Sequence, residues 1–437
     1  MRELINRVFI GDKSDARVST LLLSYLILDS TRLIAFTISS MFIVLFLLDS
    51  LTSTQVGFLF ALSYFILTII DYPTGVLGDV VGHQRVLILA YIFHIISFIL
   101  LVLSDSFLGL LLYSGISAFA SSQESGALEA WFDNNYRHLM NTNDPERTVY
   151  KSFQARKSIL TYALFGFSIL CGGLIAQVYS RKFLFFISLI FLILVLFLII
   201  VLVKDLINKK EQITVRDYFG QFFNGIKVLI SHHGVFLFFM GSTIIWAANN
   251  SIWVNFLLFR IYEGYSGGQD DTTALLRAII FASGVLWQFL IVKYITRLKR
   301  NRLWIFITTS LSNPLFFLAI YAYYLWFPPI EVSLVFLLGL VLVFQMPSIF
   351  EPLEFILRDQ LNLDLIPDSS RNSFYSLLPT ITNLIGIFGA LAGGSFLSNY
   401  GFAETILLTA LISGIGAFVA GVGLFRLPIG QNQVFHQ

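Results

Sequence analysis

Asp71-Tyr72-Pro73-Thr74-Gly75-Val76-Leu77-Gly78-Asp79-Val80-Val81-Gly82-His83-Gln84-Arg85 is a short hydrophilic hairpin between two long apolar runs. Glycines at 75, 78 and 82 let helix backbones approach closely and turn sharply. Asp79 and Arg85 put opposite charges at the two ends of the tight loop. Its position makes it informative, because it falls where a second membrane span should end.

The composition sets the class. Hydrophobic residues make up 57% of the 437 and charged residues 12%, and the mean hydropathy is +0.80. A soluble chain carries about 25% charged residues. The 45 phenylalanines are easily buried in lipid and hard to bury in one aqueous core. These features predict an all-α, multi-pass membrane protein. The net charge of +2 gives no case for a nucleic-acid partner. Cys171 is the single cysteine, which excludes an intrachain disulfide and a cysteine-based metal site. The six histidines have no metal-ligand spacing, and His232-His233 are adjacent. No metal or cofactor is implied. Met1 to Arg17 is mixed polar and the apolar run after it is too long for a cleaved signal, so the N-terminus is expected to stay attached and cytoplasmic.

A membrane-spanning helix needs about 20 mostly apolar residues. Twelve runs qualify: 18–47, 54–77, 84–103, 106–131, 158–179, 183–203, 233–261, 273–295, 302–326, 331–356, 373–397 and 402–425. Lys and Arg set the orientation. They are nearly absent from the loops after spans 1, 3, 9 and 11, with Arg181, Lys182 and Arg260 as exceptions elsewhere. The other loops and the chain start are rich in them, through Arg2, Arg7, Lys13, Arg17, Arg137, Arg147, Lys151, Arg156, Lys157, Lys204, Lys209, Lys210, Lys293, Arg297, Lys299 and Arg300. Both termini are therefore expected in the cytoplasm, with the chain in the cell membrane. Residues 1–203 would form one six-helix bundle and 232–437 a second. The linker at 204–231 carries Tyr218-Phe219 and Phe222-Phe223 among polar residues, a pattern suited to an interfacial helix.

The two halves repeat. At an offset of 221 residues, Ser152-Phe153 falls on Ser373-Phe374, Gly172-Gly173 on Gly393-Gly394, and Tyr179 on Tyr400. Asp29-Ser30 falls on Asn250-Ser251, and Glu124 on Gln345. The shared offset, close to half the chain, points to an internal repeat of two related halves.

With that organisation, the opening hairpin resembles the loop between helices 2 and 3 of the major facilitator superfamily, G-x-x-x-D-x-x-G-x-[RK]-[RK]. Gly75, Asp79, Gly82 and Arg85 fill the pattern, and His83 or Gln84 stands at the first basic position. Ser125-Gly126-Ala127-Leu128-Glu129-Ala130-Trp131-Phe132-Asp133 looks like the family's helix-4 ending, and Asn362 through Ile366-Pro367 to Arg371 is similar to its lead into helix 11. The antiporter motif of helix 5 is not cleanly present: Gly172-Gly173 remain without a proline. The resemblance implies 12 transmembrane helices in two pseudosymmetric six-helix bundles around a cavity that opens alternately to either side. It also implies a gating network of Gly75, Asp79, Gly82, Arg85, Glu129 and Asp133, with Glu351 and Arg371 as the counterparts in the second half. Solvated helix-end charge is the competing reading for Glu129 and Asp133.

Ionisable side chains at bilayer depth are expensive and usually functional. Asp29 and Arg32 share a face of span 1, and Glu124 lies in span 4. The fixed Arg32 fork would be contested by two carboxylates, leaving one unpaired and poised to take a proton. The alternative is a permanent ion network that locks one helix to another. Gln123 adjoins Glu124. Trp246, Asn249 and Asn250, with Ser251, Trp253 and Asn255, make span 7 unusually polar. Cavity lining and interhelical hydrogen bonding are both open for that patch. Gln345 and Asn383 are further cavity candidates, alongside Trp287, Gln288 and Thr380.

The expected function is secondary active transport of a small organic solute by a monomer, coupled to protons through Asp29 and Glu124. An uncoupled uniporter of the same fold and a non-transporting receptor or scaffold are the alternatives. No Ser/His/Asp arrangement, HExxH or phosphate-binding glycine loop points to an enzyme.

Overall fold

A computed structural model describes residues 16–74, 81–140, 144, 147–205, 226–227, 229–230, 232–294, 302–329, 333–351, 353–354, 357 and 368–427. Among the described residues the regular structure is helical throughout. Ten helical segments are long and apolar enough to cross a membrane: Ala16–Ser50, Ser53–Ile70, His83–Leu103, Thr148–Val178, Arg181–Leu202, His233–Tyr265, Leu303–Trp326, Leu334–Glu351, Leu377–Tyr400 and Phe402–Arg426.

The expected spans at 106–131 and 273–295 coincide with helices that fall outside those ten. Phe107–Glu124 ends in Ser121-Ser122-Gln123-Glu124, and Asp270–Tyr294 opens on two aspartates and contains Arg277 and Lys293. The first of these expected spans is also not one helix. The chain turns at Gly126, where φ is +69°, and a second helix runs from Ala127 to Met140.

The helices used below are α1 (Ala16–Thr37), α2 (Ser40–Ser50), α3 (Ser53–Thr74), α4 (His83–Leu103), α5 (Phe107–Glu124), α6 (Ala127–Met140), α7 (Thr148–Val178) and α8 (Arg181–Leu202). They continue as α9 (His233–Tyr265), α10 (Asp270–Tyr294), α11 (Leu303–Trp326), α12 (Leu334–Val343), α13 (Asp368–Tyr400) and α14 (Phe402–Arg426). The chain forms two compact units, Met1–Ile43 with Pro73–Ile213, and Val44–Tyr72 with Thr214–Gln437.

In the first unit α4 and α5 form an antiparallel pair, and α8 packs on both α4 and α1. Lipid offers no hydrophobic drive for helices to associate, so shape and hydrogen bonds decide which faces meet. Ser188 of α8 donates to Ser39 Oγ at 2.8 Å. A Cβ on Gly172 would collide with the carbonyl oxygen of Ile38, so glycine is what allows α7 to lie against that turn. Tyr25 stacks on Phe132, with centroids 4.0 Å apart, and Phe153 closes on both rings. These buried aromatics fix α1 against α6 and α7.

In the second unit α9 and α14 pack along most of their length. Phe238, Phe239, Leu424 and Leu427 form part of one apolar cluster there. Gly394 of α13, the repeat partner of Gly173, sits against Ser53 and Gly57 of α3, where a Cβ would meet the Ser53 carbonyl. Residues Ala248–Leu257 of α9 wind as a π-helix, as do Ile307–Leu311 of α11.

Candidate functional site

Asp29 and Arg32 stand one turn apart on α1. Arg32 donates Nε and Nη2 to Asp29 Oδ1, at 3.1 and 2.8 Å. Its Nη1 donates to Glu124 Oε1 of α5 at 3.2 Å, and its Nη2 lies 3.6 Å from Glu129 Oε1 of α6. A planar fork with five donors is the side chain suited to hold three carboxylates at once.

Each buried carboxylate has a second set of partners. Lys157 of α7 places Nζ 2.7 Å from Asp29 Oδ2 and donates to the Tyr25 hydroxyl at 3.0 Å. Glu124 Oε1 also accepts from the Tyr91 hydroxyl at 2.8 Å. Glu124 Oε2 lies 3.0 Å from His94 Nε2 of α4. Asp29, Glu124 and His94 are 7%, 8% and 1% exposed. An ion removed from water to this extent persists only where its remaining lone pairs and protons are met. Neither carboxylate is left unpaired, in contrast to the sequence expectation. Lys157 and His94 are the reason: by position Lys157 is a cytoplasmic topology marker, and His94 lies in an apolar run.

The start of α7 positions Lys157. Asp144 accepts from the Thr148 and Val149 backbone at 2.8 and 3.1 Å, from Thr148 Oγ1 at 2.9 Å and from the Tyr136 hydroxyl at 2.7 Å. Arg147 occupies the N-cap position without a side-chain cap bond, and the Asp144 carboxylate, three residues before it, satisfies amides that the first helical turn leaves without partners. Burial alone would raise the Asp144 carboxyl, but the hydrogen bonds from Tyr136 and Thr148 outweigh it and hold the group below the ordinary aspartate value. The same burial, with Asp144 beside it, pushes the Tyr136 hydroxyl up.

Of the expected gating residues, Gly75 and Asp79 lie outside the described residues, as do Asn362 to Pro367. Gly82 starts α4 with φ of +100°, and the Asp205 carboxylate sits beside it and accepts from the Gln84 amide at 3.3 Å. Arg85 is exposed. Glu129 faces Arg32, and Asp133 pairs with Arg137 at 2.7 Å and Arg147 at 3.0 Å. Glu351 is exposed at the end of its span, and Arg371 lies in α13 with its side chain outside the description.

In the second unit the π-helical stretch of α9 carries the polar patch. Asn250 donates to the Trp246 carbonyl at 3.3 Å, Ser251 donates to the Ala247 carbonyl, and Asn255 donates to the Tyr64 hydroxyl at 3.3 Å. Trp246 meets Tyr64 edge-on at 6.3 Å. Asn249 and Asn383 are half-buried. Trp253 is buried among Phe316, Phe317 and Phe344. Gln345 accepts from Trp287 Nε1 at 2.8 Å and donates to Ser283 Oγ at 3.0 Å and the Val341 carbonyl at 2.7 Å, so its amide ties α10 to the helix that follows α12. Gln123 of α5 is buried, and its Oε1 has no hydrogen-bond partner among the described residues. Sequence reading passed over Tyr64, Tyr91, His94, Lys157 and Arg277. The last has its guanidinium 4.7 Å from the Phe259 ring. The sequence signal available for Arg277 and His94 was an ionisable side chain inside an apolar run.

No family model and no curated protein matches the chain. Solved structures do. The nucleoside transporter NupG superposes with a TM-score of 0.73 at 14% identity, covering 93% of this chain and 99% of that one. A POT family transporter in complex with 5-aminolevulinic acid gives 0.67 at 12% identity over 91% and 94% of the two chains. A bacterial homologue of the human lysosomal transporter Spinster, inward-facing and unoccupied, gives 0.66 at 14% identity over 94% and 98%. At these identities the likeness establishes the fold. The chain is a multi-pass membrane protein with the fold of the major facilitator superfamily.

Proposed function

We propose that this chain is a secondary transporter that moves a small organic solute by alternating access and couples it to protons through the Asp29–Arg32–Glu124 network. The observation that carries the reading is Arg32, one fixed cation shared by two buried carboxylates on α1 and α5. Ion networks at bilayer depth are costly and mark ion or substrate pathways. The three similar structures, transporters by name, support transport over enzymatic chemistry. The full reading has 12 spans, both termini in the cytoplasm, bundles at 1–203 and 232–437 joined by the 204–231 linker, and a monomer in the cell membrane. Gln123, Trp246, Asn249, Asn250, Gln345 and Asn383 join the charged network as solute-facing candidates. Gly75, Asp79, Gly82, Arg85, Glu129, Asp133, Glu351 and Arg371 are the gating candidates.

A second reading has its own support. Because Asp29 and Glu124 are both fully partnered, the network also suits a static brace in an uncoupled uniporter. A thermal-shift screen of the purified protein against small-molecule libraries at two pH values separates the readings. A coupled transporter yields a ligand whose stabilisation depends on pH and is lost in Arg32→Ala. A uniporter yields a ligand whose stabilisation ignores pH.

A further inference from the structure

We infer that the cleft between α10 and α12 is a binding site for one phospholipid with an amine headgroup, phosphatidylethanolamine being the chemistry that fits. The inference stands on this cleft alone and is independent of any solute or proton that the chain moves.

The helices are pinned at one end and splay at the other. Trp287 Nε1 of α10 donates to Gln345 Oε1, just past α12, at 2.8 Å, and Gln345 Nε2 donates to Ser283 Oγ at 3.0 Å. Beside them Gly284 lets Ser348 close in, since a Cβ there would come within 3.3 Å of the serine oxygen. Towards the Asp270 end a cavity of about 530 Å³ opens between the two helices. Thr272, Leu275 and Ile279 line it from α10, and Leu334, Leu338 and Val341 from α12, each set at the spacing of neighbours on one helix face. One turn further on, the two stripes arrive at Ser283 and Gln345, so the bond between those residues is the floor of the cleft.

What fills the cleft follows from its walls and its depth. Leu275, Ile279, Leu334 and Leu338 are 49%, 47%, 72% and 56% exposed. An ordered water needs two to four polar partners, and these walls are hydrocarbon. Left empty, the void would forfeit the dispersion contacts of every side chain that lines it. From Thr272 to Ser283, and from Leu334 to Gln345, each stripe rises 11 residues, about 16 Å of helix. One leaflet of the hydrocarbon core is about 15 Å thick. The depth therefore matches a lipid acyl chain, with the mouth at the level of the headgroups.

The mouth selects the headgroup. Asp271 stands one turn before Leu275 on the same helix face. Its Oδ1 accepts from the Thr272 amide at 2.6 Å, and among the described residues its Oδ2 takes no hydrogen bond. Arg260, the cation that precedes this mouth in the chain, is already held by Asp49 at 2.5 Å and Glu263 at 2.6 Å. A carboxylate there attracts an ammonium and repels an anionic headgroup. Gln269, exposed at the same mouth, has an amide to donate to the ester and phosphate oxygens.

The test is native mass spectrometry of the full-length protein released from vesicles of phosphatidylethanolamine and phosphatidylglycerol in equal parts. The inference expects one phosphatidylethanolamine to be retained by the parent and by Leu342→Trp, a position on α12 that does not line the cleft. That lipid should be lost in Leu338→Trp, which fills the space, and Ile279→Trp on the facing wall serves if the first variant does not fold. Asp271→Asn should lower the preference over phosphatidylglycerol by about two- to fivefold, the range of an exposed ion pair. Retention of the lipid in a folded cleft variant, its loss in Leu342→Trp, or equal retention of phosphatidylglycerol by the parent overturns the inference. So does a lipid-free dimer, which would put a second copy of the chain in the cleft.

Discussion

Lys157 Nζ lies 2.7 Å from Asp29 Oδ2, across 128 residues of sequence and between the faces of two different helices. It turns a local Asp29–Arg32 pair into a chain of charges that runs from α7 through α1 to α5.

Removing one end of that chain should therefore be costly. Lys157→Met leaves Asp29 with Arg32 alone, and breaking a buried pair from one side costs about 3–5 kcal/mol. The lower end is expected, because the Lys157 side chain is 17% exposed. Asp29→Asn in the same background should recover part of the loss. Thermal unfolding of the two single variants and the double variant in detergent measures the coupling.

Arg32→Lys keeps the charge but loses the fork. An ammonium cannot hold Asp29, Glu124 and Glu129 in the geometry of the guanidinium. Loss of the bond to Glu124 leaves a buried acceptor short of a partner and should cost about 1–3 kcal/mol. A denaturation midpoint equal to that of the unsubstituted protein would show that Arg32 does not bridge the helices.

Asp144 gives a pH prediction outside the membrane. Its folded value is depressed below the unfolded one of about 3.9. Its contribution is therefore complete above that value and is lost as pH falls through the folded value. Asp144→Ala should destabilise by about 1–3 kcal/mol at neutral pH, because the Thr148 and Val149 amides lose their acceptor. Asp144→Asn should show a shallower fall in melting temperature on acidification below about pH 4 than the parent. Parallel acid curves for the parent and Asp144→Asn would contradict this account.

Gly172→Val tests the helix contact at Ile38. The added side chain meets a backbone carbonyl, which cannot swing away, and overpacking of this kind costs about 1–3 kcal/mol. Gly166→Val on the same helix, where a Cβ meets nothing within 4 Å, should change the melting temperature far less.

The legible part of this molecule was whatever depends on local sequence. Apolar run length marked the ten spanning segments, and one glycine of each repeated pair, Gly172 and Gly394, lies against a neighbouring backbone. The expected span at 106–131 misplaced the end of α5, because it ran on through the polar Ser121–Gly126 stretch to the apolar Ala127, Leu128 and Trp131, past the turn at Gly126. Asp29 and Arg32 were visible as a pair because three residues separate them. Lys157 and His94 were not, since nothing in a single sequence shows which distant helix faces meet. The π-helical winding of α9 was likewise hidden: the asparagines signalled polarity but not the extra residue in each turn.

The most direct measurement is proton movement in proteoliposomes loaded with a pH-sensitive dye, recorded on addition of a solute taken from the thermal-shift screen. The account predicts solute-driven proton flux with the parent protein and none with Asp29→Asn plus Glu124→Gln. Solute uptake without any accompanying proton movement in the parent protein would contradict it.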